Sequence, residues 1–232
     1  MERENYNQLK EMALDQGISL FGVAKMTDSL KQKVIGISRQ IVETFPFAIS
    51  LAFRLSNSVI DDIEDHPTQI YLHHYRQVNY LLDRVALLLS NFIQKKGYQA
   101  LPIPASQVID WEHQRGHLSH KLIASEAGLG WIGRNNLLVT PKWGARVRLV
   151  SILTDFPLLT DKKLDMDCGD CYKCLKVCPA GAIGEKKEDF NHLACFEQLK
   201  EFRKKWNIGH YICGVCLKVC KGAENEKIGG VE

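Results

Sequence analysis

Eight cysteines fall between positions 168 and 220 of a 232-residue chain, and the first 167 residues contain none. They read C168-x-x-C171-x-x-C174-x-x-x-C178-P179, then Cys195 alone, then C213-x-x-C216-x-x-x-C220. Three thiols at three-residue steps followed by C-x-x-x-C-P is the bacterial ferredoxin spacing for [4Fe–4S] clusters. In that pattern the first three thiolates serve one cubane and the fourth reaches the other. Two cubanes need eight thiolates, and eight are present. The spacing predicts one cluster on Cys168, Cys171, Cys174 and Cys220, and a second on Cys178, Cys195, Cys213 and Cys216. Cys195 is displaced, with 17 residues between it and Cys213, and Lys221 stands where a second proline would follow the last cysteine. A disulfide framework belongs to small secreted chains, and the charged, amphipathic start MERENYNQLKEM has no apolar core of an export signal. Structural zinc favours two separated cysteine pairs over this run.

Two further groups of residues have chemistry to offer. His113, His117 and His120 lie within eight residues at four- and three-residue steps, and a helix would stack them on one face. Such a face suits a metal, proton transfer near neutral pH, or plain polar surface. Downstream, G128-L-G-W-I-G133 brings glycines at 128, 130 and 133 beside Trp131, a place for close backbone approach or positive φ. The bland reading of that run is a helix end leading into a strand. The chain has no P-loop and no G-x-S-x-G, and the glycine run is not taken as a dinucleotide loop.

The elements that must position these residues fall into two parts. Residues 4–16 put Tyr6, Leu9 and Ala13 on one helical face ahead of Gly17, and residues 18–24 suit a short buried strand. Tyr75, Val78, Leu82, Val85, Leu89 and Phe92 recur through residues 68–96, the longest helical pattern, which Gly97 ends. Residues 98–103 are extended up to the prolines, and residues 119–127 form a further helix before Gly128. Residues 136–140 and 146–154 suggest a hairpin around Pro141-Lys142-Trp143-Gly144. Helices and strands without regular βαβ spacing make this an α+β domain over residues 1–160, with residues 155–167 as junction to a cysteine-bearing module over residues 161–232.

The whole chain resembles the epoxyqueuosine reductase family, which is related to the reductive dehalogenases. The resemblance runs through L9-K-E-M-A-L-D-Q-G-I-S-L-F-G-V-A24, A127-G-L-G-W-I-G-R-N-N-L-L138, S151-I-L-T-D-F-P-L158 and both cysteine runs. It implies a nitroreductase-like α+β domain that holds a corrinoid, followed by a double [4Fe–4S] ferredoxin-like module that feeds electrons to cobalt. It places Gly128, Gly130, Trp131, Gly133, Arg134 and Asn135 against the cofactor. The family's proton-donating aspartate sits in a V-D-[ST]-x-P segment ahead of the glycine run. Ungapped counting puts Gln114 there, and Asp110 reaches the place only by a shift of four residues. The general acid is therefore sought among His117, His120 and Asp110. Family members that act on tRNA carry a C-terminal helical-repeat extension, and this chain ends 12 residues after Cys220. The expectation is a short paralogue with a different acceptor.

Composition narrows the partners. With 30 basic against 27 acidic residues spread evenly, the chain lacks the concentrated positive face that phosphate neutralisation needs, and tRNA is not the expected substrate. Lys200, Arg203, Lys204 and Lys205 form the nearest basic cluster and read as a solvated helix face. No apolar run approaches the length of a membrane span, so a cytoplasmic protein is expected. Three functions follow in order: a cobalamin- and iron–sulfur-dependent reductase of an unknown small-molecule or protein acceptor, an electron carrier or activator for a partner's corrinoid, and a flavin reductase holding FMN. Each needs an external electron donor such as a ferredoxin or flavodoxin.

Overall fold

A computed structural model describes residues 1–222. In chain order the elements are α1 (Glu2–Asp15), β1 (Leu20–Lys25), α2 (Asp28–Lys31), α3 (Arg39–Glu43), β2 (Phe47–Arg54), α4 (Asn57–Asp61) and α5 (Gln69–Lys95). They continue with β3 (Ala100–Ile103), α6 (His120–Glu126), β4 (Trp131–Ile132), β5 (Leu138–Val139), β6 (Val147–Thr154), α7 (Lys173–Val177), α8 (His192–Lys205) and α9 (Val215–Val219). The mixed helix-and-sheet class read from the sequence is what the chain adopts.

Two units form, and neither is continuous in sequence. The first comprises Met1–Phe53, Asn79–Leu129 and Arg148–Leu164; the second comprises Arg54–Val78, Gly130–Val147 and the described residues from Asp165 onward. Residues 54–78 and 130–147 thus cluster with the cysteines rather than with the rest of the first 160 residues.

The first unit is built on an open four-stranded sheet of order β1-β2-β6-β3, with β1 antiparallel to β2 and β3 antiparallel to β6. Helix α1 packs on β1 through the face the periodicity predicts, and Tyr6, Leu9 and Ala13 are buried. Helix α6 packs on β1 as well. Gly22 of β1 has no room for a Cβ, which would lie 2.4 Å from the Ala127 carbonyl oxygen.

Residues 155–164 read as a junction but are docked on this unit. Phe156 and Leu158 are buried, and Asp161 exchanges hydrogen bonds with the backbone of Val23, donating through its own N–H and accepting at its carboxylate, each at 2.8 Å. Tyr6 donates to the same carboxylate at 3.0 Å, and burial, then the Asp161 charge, raise the phenol well above its ordinary value. Asp161 so covers the open edge of β1, where backbone groups would otherwise be unpaired.

The described residues of the second unit carry helices and the two-stranded pair β4–β5, in which Trp131 faces Val139 and Ile132 faces Leu138. The hairpin expected between residues 136–140 and 146–154 does not form. β5 pairs with β4, and β6 joins the large sheet. The intervening turn does close, with Thr140 and Gly144 exchanging backbone hydrogen bonds at 2.8 and 3.0 Å.

Candidate iron–sulfur centre

Helices α7 and α9 pack together and carry the two cysteine runs as near-copies, K-C-L-K-V and V-C-L-K-V. In each, one cysteine lies inside the helix (Cys174, Cys216) and the next is its C-terminal cap (Cys178, Cys220). Cys178 therefore closes a helix. Its extended backbone, φ −66° and ψ 113°, turns the chain away after one short helix.

The thiols sort by electrostatic neighbourhood. Burial raises Cys174, and the Cys168 and Cys171 sulfurs raise it further. Burial pushes Cys220 up to about 11, with Cys174, Cys168 and Cys171 as its sulfur neighbours. Burial pushes Cys213 up to about 12, with Cys195 and Cys178 beside it. Cys216 is raised well above its ordinary value by burial and then by Cys213, Cys195, Cys174 and Cys178. The groups are Cys168, Cys171, Cys174 and Cys220, and Cys178, Cys195, Cys213 and Cys216, with Cys174 adjoining both. Crowded, buried thiolates repel one another and lack water, so cations are needed to hold them ionised.

No three His, Cys, Asp or Glu side chains among the described residues close on a single metal ion. A four-iron cluster asks for less, since each thiolate takes its own iron at a separate corner, whereas four thiolates on one tetrahedral ion must sit about 3.8 Å apart. The donor set fits cubanes. Cys195 is carried by α8, in the helix's first turn, where Asn191 caps by accepting from the Ala194 N–H at 3.0 Å. A helix in place of a C-x-x-C step accounts for its displacement in sequence.

Of the glycine run, Gly133 borders this centre. Gly128, Gly130 and Gly133 match the letter spacing G-x-G-x-x-G, but the first two lead from helix α6 into strand β4 and the third follows that strand, the reverse of the strand-to-helix order a dinucleotide loop requires. A Cβ on Gly128 would stand 2.5 Å from the Lys162 carbonyl oxygen, and one on Gly130 2.1 Å from that of Val139. On Gly133 it would meet Val139 Cγ2 at 2.6 Å and Cys168 Sγ at 3.3 Å. Protein atoms thus account for all three bare positions.

Trp131 is buried, and its Nε1–H donates to Cys168 Sγ at 3.5 Å. Arg134 donates from Nη2 to the Gly169 carbonyl at 2.7 Å, from Nη1 to that of Cys171 at 3.1 Å, and from Nε to that of Glu185. Its guanidinium also lies 4.3 Å over the Tyr172 ring. Asn135 is buried and accepts from the Leu137 N–H, while its Nδ2 has no partner among the described residues. A cavity of about 630 Å³ opens beside Cys168, Cys171, Tyr172, Lys173, Lys176 and Glu185.

Sequence reasoning missed Arg146. It is buried, donates to Asp61 at 2.7 Å and Asn57 at 3.2 Å, and donates to the Lys218 carbonyl two residues before Cys220. An arginine alternating with apolar residues reads as a strand's solvent face, and only the fold shows it tying α4 to α9.

The candidate proton donors lie in the first unit, and the helical stack of histidines does not form. Asp110 accepts at its carboxylate from the His113 N–H at 3.0 Å and pairs with the His113 ring at 2.9 Å, closing a turn at the bridge Asp110–Arg115. Gln114 takes a φ of 49°, which no helix permits. His117 Nδ1 lies 3.1 Å from the Ile35 carbonyl. His120 opens α6, with Nε2 2.9 Å from the Pro104 carbonyl and Nδ1 2.9 Å from Ser151 Oγ. Since a carbonyl only accepts, Nε2 carries the proton and Nδ1 accepts from the hydroxyl. Burial pushes this imidazole down to about 4, the Pro104 bond opposes that, and Arg148 lowers it further.

The fold is shared with reductive dehalogenases and epoxyqueuosine reductases. A catabolic reductive dehalogenase bound to 3-bromo-4-hydroxybenzoic acid superposes with a TM-score of 0.79 at 16% identity, over 98% of this chain and 34% of that one. An epoxyqueuosine reductase in complex with a modified tRNA stem loop superposes with a TM-score of 0.64 at 23% identity, over 94% and 65%. No protein-family model matches the chain.

In sequence the chain resembles the epoxyqueuosine reductases, as its motifs suggest. It is 33% identical over 148 residues to that of Bacillus cereus, covering 60% of this chain and 37% of the relative. It is 32% identical over 145 residues to the tetrachloroethene reductive dehalogenase of Sulfurospirillum multivorans, covering 57% and 27%. The chain spans about a third of the length of the curated epoxyqueuosine reductases it matches.

Proposed function

We propose that this chain is an iron–sulfur oxidoreductase holding two [4Fe–4S] clusters, and that it serves a corrinoid-dependent reduction of an acceptor still to be found. The observation that supports this reading is the neighbourhood of the thiols: Cys220 lies beside Cys168, Cys171 and Cys174, and Cys178 beside Cys213 and Cys216, so that on this reading each helix-capping cysteine serves the set centred on the other helix. The ferredoxin-like module and nitroreductase-like domain implied by the motifs agree with it. Bound, the cubanes supply one-electron transfer at low potential. The chain's own part is to hold eight thiolates, to fix the Cys168–Cys174 loop through Arg134, and to seat a buried N–H on Cys168.

Corrinoid dependence rests on the resemblance; one structure sharing the fold is described as suggesting a mechanism for B12-dependent dehalogenation. The run Gly128–Asn135 offers no bare cradle for such a group, because its glycines are filled by the chain itself. That favours a second reading, in which the chain is an electron carrier or activator and the corrinoid resides on a partner. Anaerobic purification with metal analysis, with and without added cobalamin, separates the two. About eight irons and one retained cobalt per chain support the reductase; eight irons without cobalt uptake support the carrier. Four irons or fewer in protein shown to have lost none overturn the ligand assignment.

A further inference from the structure

The resemblance leaves open how the two clusters differ. Reduction potentials depend on hydrogen bonds to the sulfurs, nearby charge and solvent exposure. Backbone donors serve both sets: Leu175 and Ala145 N–H reach Cys174 and Cys220, while Ala182 and Val215 N–H reach Cys178 and Cys213. Trp131 adds a side-chain donor to the first set, its Nε1 being 3.5 Å from Cys168 Sγ.

The indole is held for this contact. It is buried, its strand pairs with β5, and Gly130 and Gly133 on either side leave no slack against Val139. A buried indole N–H needs an acceptor, and here the acceptor is a sulfur. The Arg134 cation sits on the same loop, bonded to the Gly169 and Cys171 carbonyls. The indole N–H draws negative charge from the Cys168 sulfur. The guanidinium touches no sulfur but offsets through space the Asp170 and Glu185 carboxylates beside the loop, and both features favour the state with one more electron.

We propose that the Trp131 indole tunes the cluster held by Cys168, Cys171, Cys174 and Cys220 to the higher potential of the pair, so that a single electron entering the chain comes to rest there. This rests on the two-cluster reading above. Each cluster passes from [4Fe–4S]2+ to [4Fe–4S]1+ by gaining one electron, and an external one-electron donor of the reduced ferredoxin or flavodoxin class loses it; no bond or proton moves. Trp131 is a positioning residue, acting through Cys168.

The test is an anaerobic potentiometric titration followed by electron paramagnetic resonance, on the wild-type holoprotein and on Trp131→Phe. Cys168→Ser and Cys178→Ser identify which signal belongs to which set. In Trp131→Phe the upper wave should move to lower potential while the lower wave stays. The reduced-to-oxidised ratio at the wild-type upper midpoint should fall up to about tenfold, which is about 59 mV for a one-electron couple. An unmoved upper wave, or an upper wave that answers to Cys178→Ser, overturns the proposal. Should Trp131→Phe lose iron, the wild-type protein labelled with 15N-tryptophan decides. Coupling of the indole nitrogen and its exchangeable proton to the upper-wave signal supports the proposal, and absence of that coupling overturns it. A wild-type chain without two clusters overturns the parent reading as well, whereas a two-cluster protein with unmoved potentials overturns only this one.

Discussion

Arg134 donates from Nη1 to the carbonyl oxygen of Cys171 at 3.1 Å, so a residue of the glycine run holds the backbone of the cysteine run. The same guanidinium serves the Gly169 and Glu185 carbonyls. Hydrogen bonds to a charged group contribute about 1.5–3 kcal/mol each when shielded, and partial exposure reduces that here. Arg134→Lys keeps the charge but cannot reach three carbonyls from one planar fork. Its iron should be lost to a chelator about tenfold faster than in wild type, with release rates at matched pH as the measurement. Equal rates would show that the loop holds itself.

Asp61 gives a pH dependence whose sign follows from its partner. The Arg146 hydrogen bond holds its carboxyl below the usual range, against a smaller opposing effect of desolvation. A carboxyl depressed in the folded state stabilises the fold above its unfolded pKa and loses that contribution as pH falls through the folded value. The stability gap between wild type and Asp61→Asn should therefore be full at neutral pH and shrink below about pH 4. Urea midpoints of the two proteins across pH 3–7 measure it. A gap independent of pH would mean that the pair contributes through shape alone.

His120 gives the opposite kind of window. Its imidazole is pushed down to about 4 by burial, so between there and the ordinary value near 6.5 the unfolded chain binds a proton that the folded chain refuses. Stability should rise with pH across that interval, by roughly 3 kcal/mol at most, and His120→Gln should lose this slope. Thermal midpoints against pH decide it. The consequence for chemistry is that His120 stays neutral at pH 7, with its one N–H engaged by the Pro104 carbonyl.

What could be seen beforehand was what is local in the chain. The cysteine spacing shows which thiols share a loop, and the periodicity of α1 and α5 shows their buried faces, because ligand geometry and helical period are set within a few residues. Pairing between distant segments was not legible. β4 and β5 have two residues each, too few for alternation to show, and their partnership depends on Gly130 admitting the Val139 carbonyl. The polar segment at 155–164 has a linker's composition, yet Asp161 docks it by completing the edge of β1. The histidine spacing suggested a helix until Asp110 closed a turn around His113.

Gly133 should tolerate no side chain. A Cβ there would stand 2.6 Å from Val139 Cγ2, 3.1 Å from Asn135 Oδ1 and 3.3 Å from Cys168 Sγ. The first neighbour can shift a little at the cost of core packing, while the last, if it holds a cluster as proposed, would have to leave its iron to move. Overpacking of this kind costs about 1–3 kcal/mol. Gly133→Ala should fold with reduced stability and lose iron from the Cys168 set in preference to the other, as seen by iron content and by the cluster signals remaining. Equal loss from both sets would separate Gly133 from Cys168.

Cys195 tests the assignment most directly, because its place in sequence is the least regular. It sits on α8, and its sulfur is a neighbour of Cys213 and Cys216. Replacing it by serine changes one atom and leaves the capped first turn of the helix intact. If Cys195 completes the second set, Cys195→Ser should fall from about eight irons per chain toward about four, or to a three-iron centre at that set. The signal that answers to Cys168→Ser should persist. Cys220→Ser should do the converse, removing the first set although Cys220 lies beside Cys216 in sequence. If both variants disturbed the same signal, the helix-capping cysteines would each serve their own run, and the crossed wiring would be wrong. The two variants together therefore distinguish exchange of ligands between α7 and α9 from two self-contained sites.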